Sequence, residues 1–184
     1  MYRLLNILFK ISSIKKITFR FIEYLQTNFS NDTSNLYETV TVNVKIGTKK
    51  GDYDAKKYLN FLYEDIKDKK INFFDIGAAD LFMYPELQKT NCLNKYFAFD
   101  INKSIMMKGL KLIKKKTDGS NITIEHGNNF NFENIPDQSI NIAFCQAVCS
   151  HLNLNSQIIM FRNLYSKMNK NNSKLYCSYL IFEN

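Results

Sequence analysis

The chain has 184 residues, enough for one domain with a proper hydrophobic core. Its 45% hydrophobic and 14% aromatic content excludes a disordered chain. The formal charge of +8 invites a nucleic-acid or acidic-membrane partner, but it comes from lysines spread along the whole chain, with no arginine-rich cluster.

Residues 4–28 carry Ile7, Ile11, Ile14, Ile17, Phe21 and Leu25 at spacings of three and four. That is a helical stripe, and Lys10, Lys15, Lys16 and Arg20 flank it. The stripe reads either as packing or as a basic amphipathic helix lying on an anionic membrane, with peripheral contact through residues 4–25. Residues 29–53 are polar and loop-like, with a short strand expected at Val40–Ile46. A second helix is expected from Asp54 to about Lys67, with Tyr58, Leu59, Leu62 and Ile66 on its inner face.

From Ile71 onward strands and helices alternate. Strands are expected at Asn72–Ile76, Tyr96–Asp100, Ile122–Glu125, Asn141–Cys145 and Leu175–Phe182, with helices at Leu81–Lys89, Lys103–Lys116 and Asn155–Met168. Such alternation predicts an α/β fold, a Rossmann-like sheet of parallel strands with helices on both faces. Residues 1–69 then form an N-terminal helical extension and residues 70–184 the core. The lysines Lys108, Lys111, Lys114, Lys115 and Lys116 read as the solvated face of a helix.

No uncharged apolar stretch reaches the roughly 20 residues of a membrane span. The run "LLNILF" is interrupted by Asn6 and lacks a downstream cleavage site, so a secreted protein is not expected. The four cysteines form no CxxC pair, and His126 and His151 lack the spacing of a zinc site. Cysteines acting as small apolar residues in a reduced, cytoplasmic protein, without a metal, are the expectation.

The stretch "KINFFDIGAADLFMYPEL" places Gly77, one of only six glycines, directly after an apolar run and Asp75. A strand, a tight small-residue turn and a helix start form a common cofactor cradle. The dinucleotide fingerprint G-x-G-x-x-G falls on Gly77, Ala79 and Phe82, so two of its three glycines are missing. The phosphate loop G-x-x-x-x-G-K-[ST] is absent from the sequence.

Four successive blocks, "FFDIGAAD", "YFAFDIN", "ITIEHGNNF" and "NIPDQSINIAFCQAVCSHL", together resemble the class I S-adenosylmethionine-dependent methyltransferases from about Lys70 to Phe182. The resemblance implies S-adenosylmethionine as cofactor, with the methionine part received by the loop of Asp75, Gly77 and Ala79. Asp100, with Ile101 beside it, stands where a carboxylate accepts from the ribose hydroxyls; Asp100 capping the next helix is the other reading. Asn128 stands where the family often has an acid facing the adenine amino group, and Asn129 would offer its backbone N–H to the ring. Asn128 also reads as an ordinary turn residue. Gln146 after the fourth strand completes the cofactor set. His151 reads as packing, or as the catalytic group taking a proton from an acceptor hydroxyl or amine. The sequence departs from the family's glycines at Ala79 and Leu81, and from the acid that commonly opens the fourth strand at Asn141.

The turn after the fourth strand has no Asp/Asn-Pro-Pro-aromatic motif and no Pro-Cys pair, which argues against a nucleic-acid substrate. The resemblance is to the broad branch acting on small molecules, sugars or lipid-linked intermediates. The alternative is a degenerate domain that binds a partner protein or RNA without catalysis. The closing run "KLYCSYLIFEN" reads as an interior strand covered on both sides. The family continues beyond it with a helix and two more strands. Three expectations follow: the chain is part of a longer protein, this edge pairs a second copy into a homodimer, or the N-terminal segment covers it.

Overall fold

The computed structural model describes residues 55–178. The helix expected over residues 4–28, the strand at Val40–Ile46 and residues 179–184 of the closing run lie outside the described residues.

Helix α1 spans Ala55–Ile66 and buries Ala55, Leu62 and Ile66, with Tyr58 and Leu59 packed beside them. Strand β1, Ile71–Ile76, follows and is buried on both faces apart from Asn72. Its apolar run predicts this, because a parallel strand at the centre of a sheet meets core above and below. Strands β2 (Leu93–Asp100), β3 (Ile122–His126), β4 (Ile142–Cys145) and β5 (Lys174–Cys177) join it in the order β3-β2-β1-β4-β5, every pair parallel. Helices α2 (Tyr84–Lys89), α3 (Lys103–Lys114) and α4 (Leu154–Lys167) make the crossovers. The chain steps outward from β1 to β3 and then returns to the other side of β1. That reversal opens a crevice at the carboxyl ends of β1 and β4, where open α/β sheets bind ligands.

The two-residue period of the strands splits the core into two layers. Phe73, Tyr96, Ala98, Ile142 and Phe144 face α1, α2 and α3, meeting Leu62, Ile66, Leu87, Met106 and Ile113. Phe74, Ile76, Phe97, Phe99, Ala143 and Cys145 face the other way, onto Met160 and Leu164 of α4. No helix joins β3 to β4. Phe130, Phe132 and Ile135 of that connection fill the layer instead. Phe132 meets Phe74 and Phe99 edge-on at 4.9 and 5.0 Å between ring centres. Such pairs are worth about 0.5–1.5 kcal/mol each beyond their burial.

Two element starts differ from the sequence reading by three residues, and the cover of β5 differs as well. The helix expected from Leu81 begins at Tyr84, with Pro85 in its first turn. β2 begins at Leu93, three residues early, with Asn94 and Lys95 exposed. β5 is the outer strand among the described residues, with Leu175 41% exposed, so this part of it is not covered on both sides. Asp65 of α1 nonetheless ties β5 in place, accepting from Lys174 Nζ at 2.5 Å and from the Tyr176 hydroxyl. The lysines Lys108, Lys111, Lys114, Lys115 and Lys116 are all exposed, as a solvated helix face requires.

Candidate functional site

The carboxyl ends of β1, β2, β3 and β4 bring most of the residues singled out in the sequence to one edge of the sheet. β1 ends at Ile76 and the backbone turns through Gly77 (φ 77°), Ala79 (φ 44°) and Leu81 (φ 63°), left-handed at every second residue. A left-handed conformation costs a side-chain-bearing residue about 1–3 kcal/mol. At Leu81 burial offsets that cost, because its side chain is fully buried among the α1–α3 layer. Burying a leucine is worth about 1.5–3 kcal/mol. Leu81 therefore points away from the crevice and leaves the turn open.

Two close approaches fix the turn. A Cβ on Gly77 would lie 2.3 Å from Val148 Cγ2, so glycine is required there by packing as well as by φ. A Cβ on Gly109 of α3 would lie 2.1 Å from the Asp80 carbonyl oxygen, so α3 rests directly on the turn's backbone.

Asp100 at the end of β2 clamps the turn. Its Oδ2 accepts from the Ala79 backbone N–H at 2.9 Å and its Oδ1 from the Asn102 N–H at 2.7 Å. Burial pushes its carboxyl up, against these backbone donors, which pull it down. Asp100 is not the helix cap: Asn102 is, its side-chain oxygen accepting from the Ile105 N–H at 3.1 Å. Ile101 lies half-buried between them.

Asp75 is 1% exposed and faces the α1–α3 layer, where its carboxylate accepts from the Tyr96 hydroxyl. Burial lifts its carboxyl to about 7; Tyr96 opposes the rise, and the charges of Asp100 and Asp80 add to it. Tyr96 is raised well above its usual value, first by burial and then by Asp75. Asp75 is thus buried in that layer against Tyr96 rather than exposed at the crevice.

Gln146 follows β4, one residue beyond the paired Ile76 and Cys145, which sets it beside Gly77. Its side-chain carbonyl oxygen is buried with no hydrogen-bond partner among the described residues. An unsatisfied buried acceptor costs about 1–3 kcal/mol, and a bound donor would remove that cost. Asn128 and Asn129 are exposed on the loop after β3, where Gly127 N–H reaches the Asp100 carbonyl at 3.4 Å. His151 closes a 3₁₀ turn, Cys149–His151, and is half-buried. Asn141, in the place of the acid, lies at the far end of β4 and binds Asn72 N–H at 2.9 Å. That departure sits at the opposite edge of the sheet from the crevice.

Sequence reasoning missed a second cluster. Cys145, Cys149 and Cys177, expected to act as small apolar residues, bring their sulfurs within 4.8 Å of one another. The Cys145 thiol is pushed up, first by its contact with Cys177 and then by burial. The signal was the register of β4 and β5, which pairs Cys145 with Cys177 and which spacing alone does not give.

Neither a protein-family profile nor a curated protein matches the chain. Solved structures do. A candidate S-adenosyl-L-methionine-dependent methyltransferase from Methanococcus maripaludis aligns at TM-score 0.52 and 18% identity, over 66% of this chain and 52% of that one. Phosphoethanolamine N-methyltransferase 2 of Haemonchus contortus, in complex with phosphomonomethylethanolamine and S-adenosylhomocysteine, aligns at 0.53 and 15%, over 64% and 26%. Phosphoethanolamine N-methyltransferase 1 of the same organism, in complex with phosphoethanolamine and S-adenosylhomocysteine, aligns at 0.52 and 14%, over 86% and 31%. The chain thus spans about half or less of the length of these proteins. At such identities the likeness is one of fold. The described residues have the Rossmann-like fold of the class I S-adenosylmethionine-dependent methyltransferases. Among them no helix is long and apolar enough to cross a membrane.

Proposed function

We propose that the chain binds S-adenosylmethionine in the crevice at the carboxyl ends of β1, β2 and β4 and transfers its methyl group to a small-molecule, sugar or lipid-linked acceptor. The observation that carries this reading is the turn after β1, left-handed at Gly77, Ala79 and Leu81 and set beside the unsatisfied carbonyl oxygen of Gln146.

The residues present fit such a cofactor. Gln146 would accept from one of its N–H or O–H groups. The Asp100 carboxylate has about four acceptor sites, so it keeps capacity for a ribose hydroxyl beyond its backbone donors Ala79, Ile101 and Asn102. Asn128 and Asn129, exposed after β3, would meet the adenine edge. When bound, the cofactor supplies a sulfonium methyl whose C–S bond breaks as the bond to the acceptor forms, leaving the acceptor's proton to be removed. The protein's task is then alignment, which can supply most of the acceleration. His151, on the turn after β4, would take that proton.

The acceptor class draws on the residues after β4, Gln146-Ala147-Val148-Cys149, which lack the Pro-Pro turn of amino-methylating nucleic-acid enzymes. The small phosphorylated amines held by two of the compared structures favour a small polar acceptor. Residues 4–25 would govern acceptor access, at the pocket mouth or at an anionic membrane surface. Incubating the full chain with methyl-labelled S-adenosylmethionine and metabolite or lipid fractions tests the reading. Label should pass to a small or lipid-soluble product, with S-adenosylhomocysteine released. A folded chain that neither releases S-adenosylhomocysteine nor melts at a higher temperature in its presence overturns the proposal.

A further inference from the structure

We propose that Cys145, Cys149 and Cys177 form a three-thiolate site for a zinc ion, with a fourth position open toward solvent. Three segments supply the ligands. Cys145 ends β4 and Cys177 ends β5, and the two are partners in the parallel ladder, so their side chains emerge together on the α4 face. Cys149 opens the 3₁₀ turn four residues after Cys145 and folds back over them.

The spacing suits a metal. Thiolates bind zinc at about 2.3 Å, which puts tetrahedral ligand sulfurs about 3.8 Å apart. Here Cys149 and Cys177 sulfurs are 3.4 Å apart, and all three lie within 4.8 Å of one another. Shifts of a few tenths of an ångström about each sulfur would complete the geometry. The ligands are also held. Ladder pairing fixes two of them, Gln157 Nε2 donates to the Cys149 carbonyl at 3.0 Å, and the His151 N–H closes the turn onto Val148 at 2.9 Å. A site whose ligands are fixed by neighbouring bonds needs little reorganisation on binding.

Burial gives the approach. Cys145 and Cys149 are buried, whereas Cys177 is half-buried beside exposed Ser178. An ion enters from the Cys177 side, and its fourth ligand lies there. Soft thiolate sets select zinc or cuprous copper over magnesium or calcium. Three protein ligands plus an open position is the pattern of reactive rather than purely structural zinc. Each thiol bound as thiolate releases its proton to solvent, and no oxidant or reductant is needed. The site adjoins the crevice through Val148, which meets Gly77, but none of its three ligands belongs to the proposed cofactor set.

The test uses the full chain, reduced and stripped of metal with a chelator. Zinc is titrated against a chromophoric chelator, and cobalt is added separately to read thiolate-to-metal charge transfer in the near ultraviolet. One equivalent of zinc should bind, with a charge-transfer band under cobalt. Cys149→Ser and Cys177→Ser should each weaken zinc by roughly 100-fold or more, since even outer-shell losses cost 10–100-fold. Cys92→Ser, whose thiol lies away from this cluster before β2, should leave affinity unchanged. Cys177→Ser alters the half-buried ligand and keeps the fold, so it decides the matter if Cys145→Ser fails to fold. Absence of the charge-transfer band overturns the proposal, as does zinc affinity unchanged in Cys177→Ser. A reduced chain that binds no metal but forms a Cys149–Cys177 disulfide in air also overturns it, making the pair a redox couple.

Discussion

Replacing Gly77 by alanine isolates what the turn after β1 requires. An added Cβ would stand 2.3 Å from Val148 Cγ2, far inside van der Waals contact, at a φ of 77°. The left-handed conformation costs a residue with a Cβ about 1–2 kcal/mol. Forcing an extra methyl into a packed site costs about 1–3 kcal/mol more. The total, about 2–5 kcal/mol, is a large share of the roughly 5–15 kcal/mol that holds a domain folded. The two parts separate in a double-mutant cycle. Val148→Ala removes the obstructing methyl, so Gly77→Ala added to that background should cost only the conformational part, about 1–2 kcal/mol. Urea denaturation of the four proteins at equilibrium measures both. A favourable coupling of about 1–3 kcal/mol is expected. A coupling near zero, or a single Gly77→Ala within about 0.5 kcal/mol of the parent, would refute the packing argument.

Three more outcomes follow from the same site. Because burial lifts Asp75 to about 7 from an ordinary 3.8, the folded chain keeps a proton that the unfolded chain gives up. Its stabilisation is present below about pH 4 and is lost as pH rises through about 7, up to roughly 4 kcal/mol at 1.4 kcal/mol per unit. Asp75→Asn should flatten that slope in denaturation curves taken from pH 4 to 8; an unchanged slope would place the titration elsewhere. Gln146→Leu removes an unsatisfied buried acceptor and should leave the melting temperature equal or higher, while S-adenosylhomocysteine affinity falls about 5–30-fold for one lost hydrogen bond. Equal affinity would show that Gln146 does not meet the cofactor. Leu81→Gly should destabilise by about 1–3 kcal/mol, the loss of a buried leucine set against relief of its φ, yet leave that affinity within twofold. A large affinity change would mean that Leu81 faces the crevice after all.

Strands β1 and β4 were legible because a parallel strand covered on both faces is mostly apolar along its length, as Ile71–Ile76 and Ile142–Cys145 are. The start of α2 was not. Leu81, Met83, Tyr84 and Leu87 are all buried and look like one helical stripe, but Leu81 reaches the core from a left-handed turn. Hydrophobic pattern records burial, not the backbone by which burial is reached. Asp100 was visible as a strand-ending acid, while its bond to the Ala79 N–H depends on how two strand ends meet and had no signature. Asp75 was placed in the site by position, and only the tertiary structure turns it inward to Tyr96. The three cysteines met for the same reason that they were missed. Their encounter is set by strand register, a long-range property that local spacing does not carry.

Calorimetric titration of the full chain with S-adenosylhomocysteine tests the central claim most directly. The account predicts one site per chain, with binding lost in Asp100→Ala, which removes both the turn's clamp and the ribose acceptor, and weakened in Gln146→Leu. No heat of binding to the folded parent, or binding undiminished in Asp100→Ala, would contradict it.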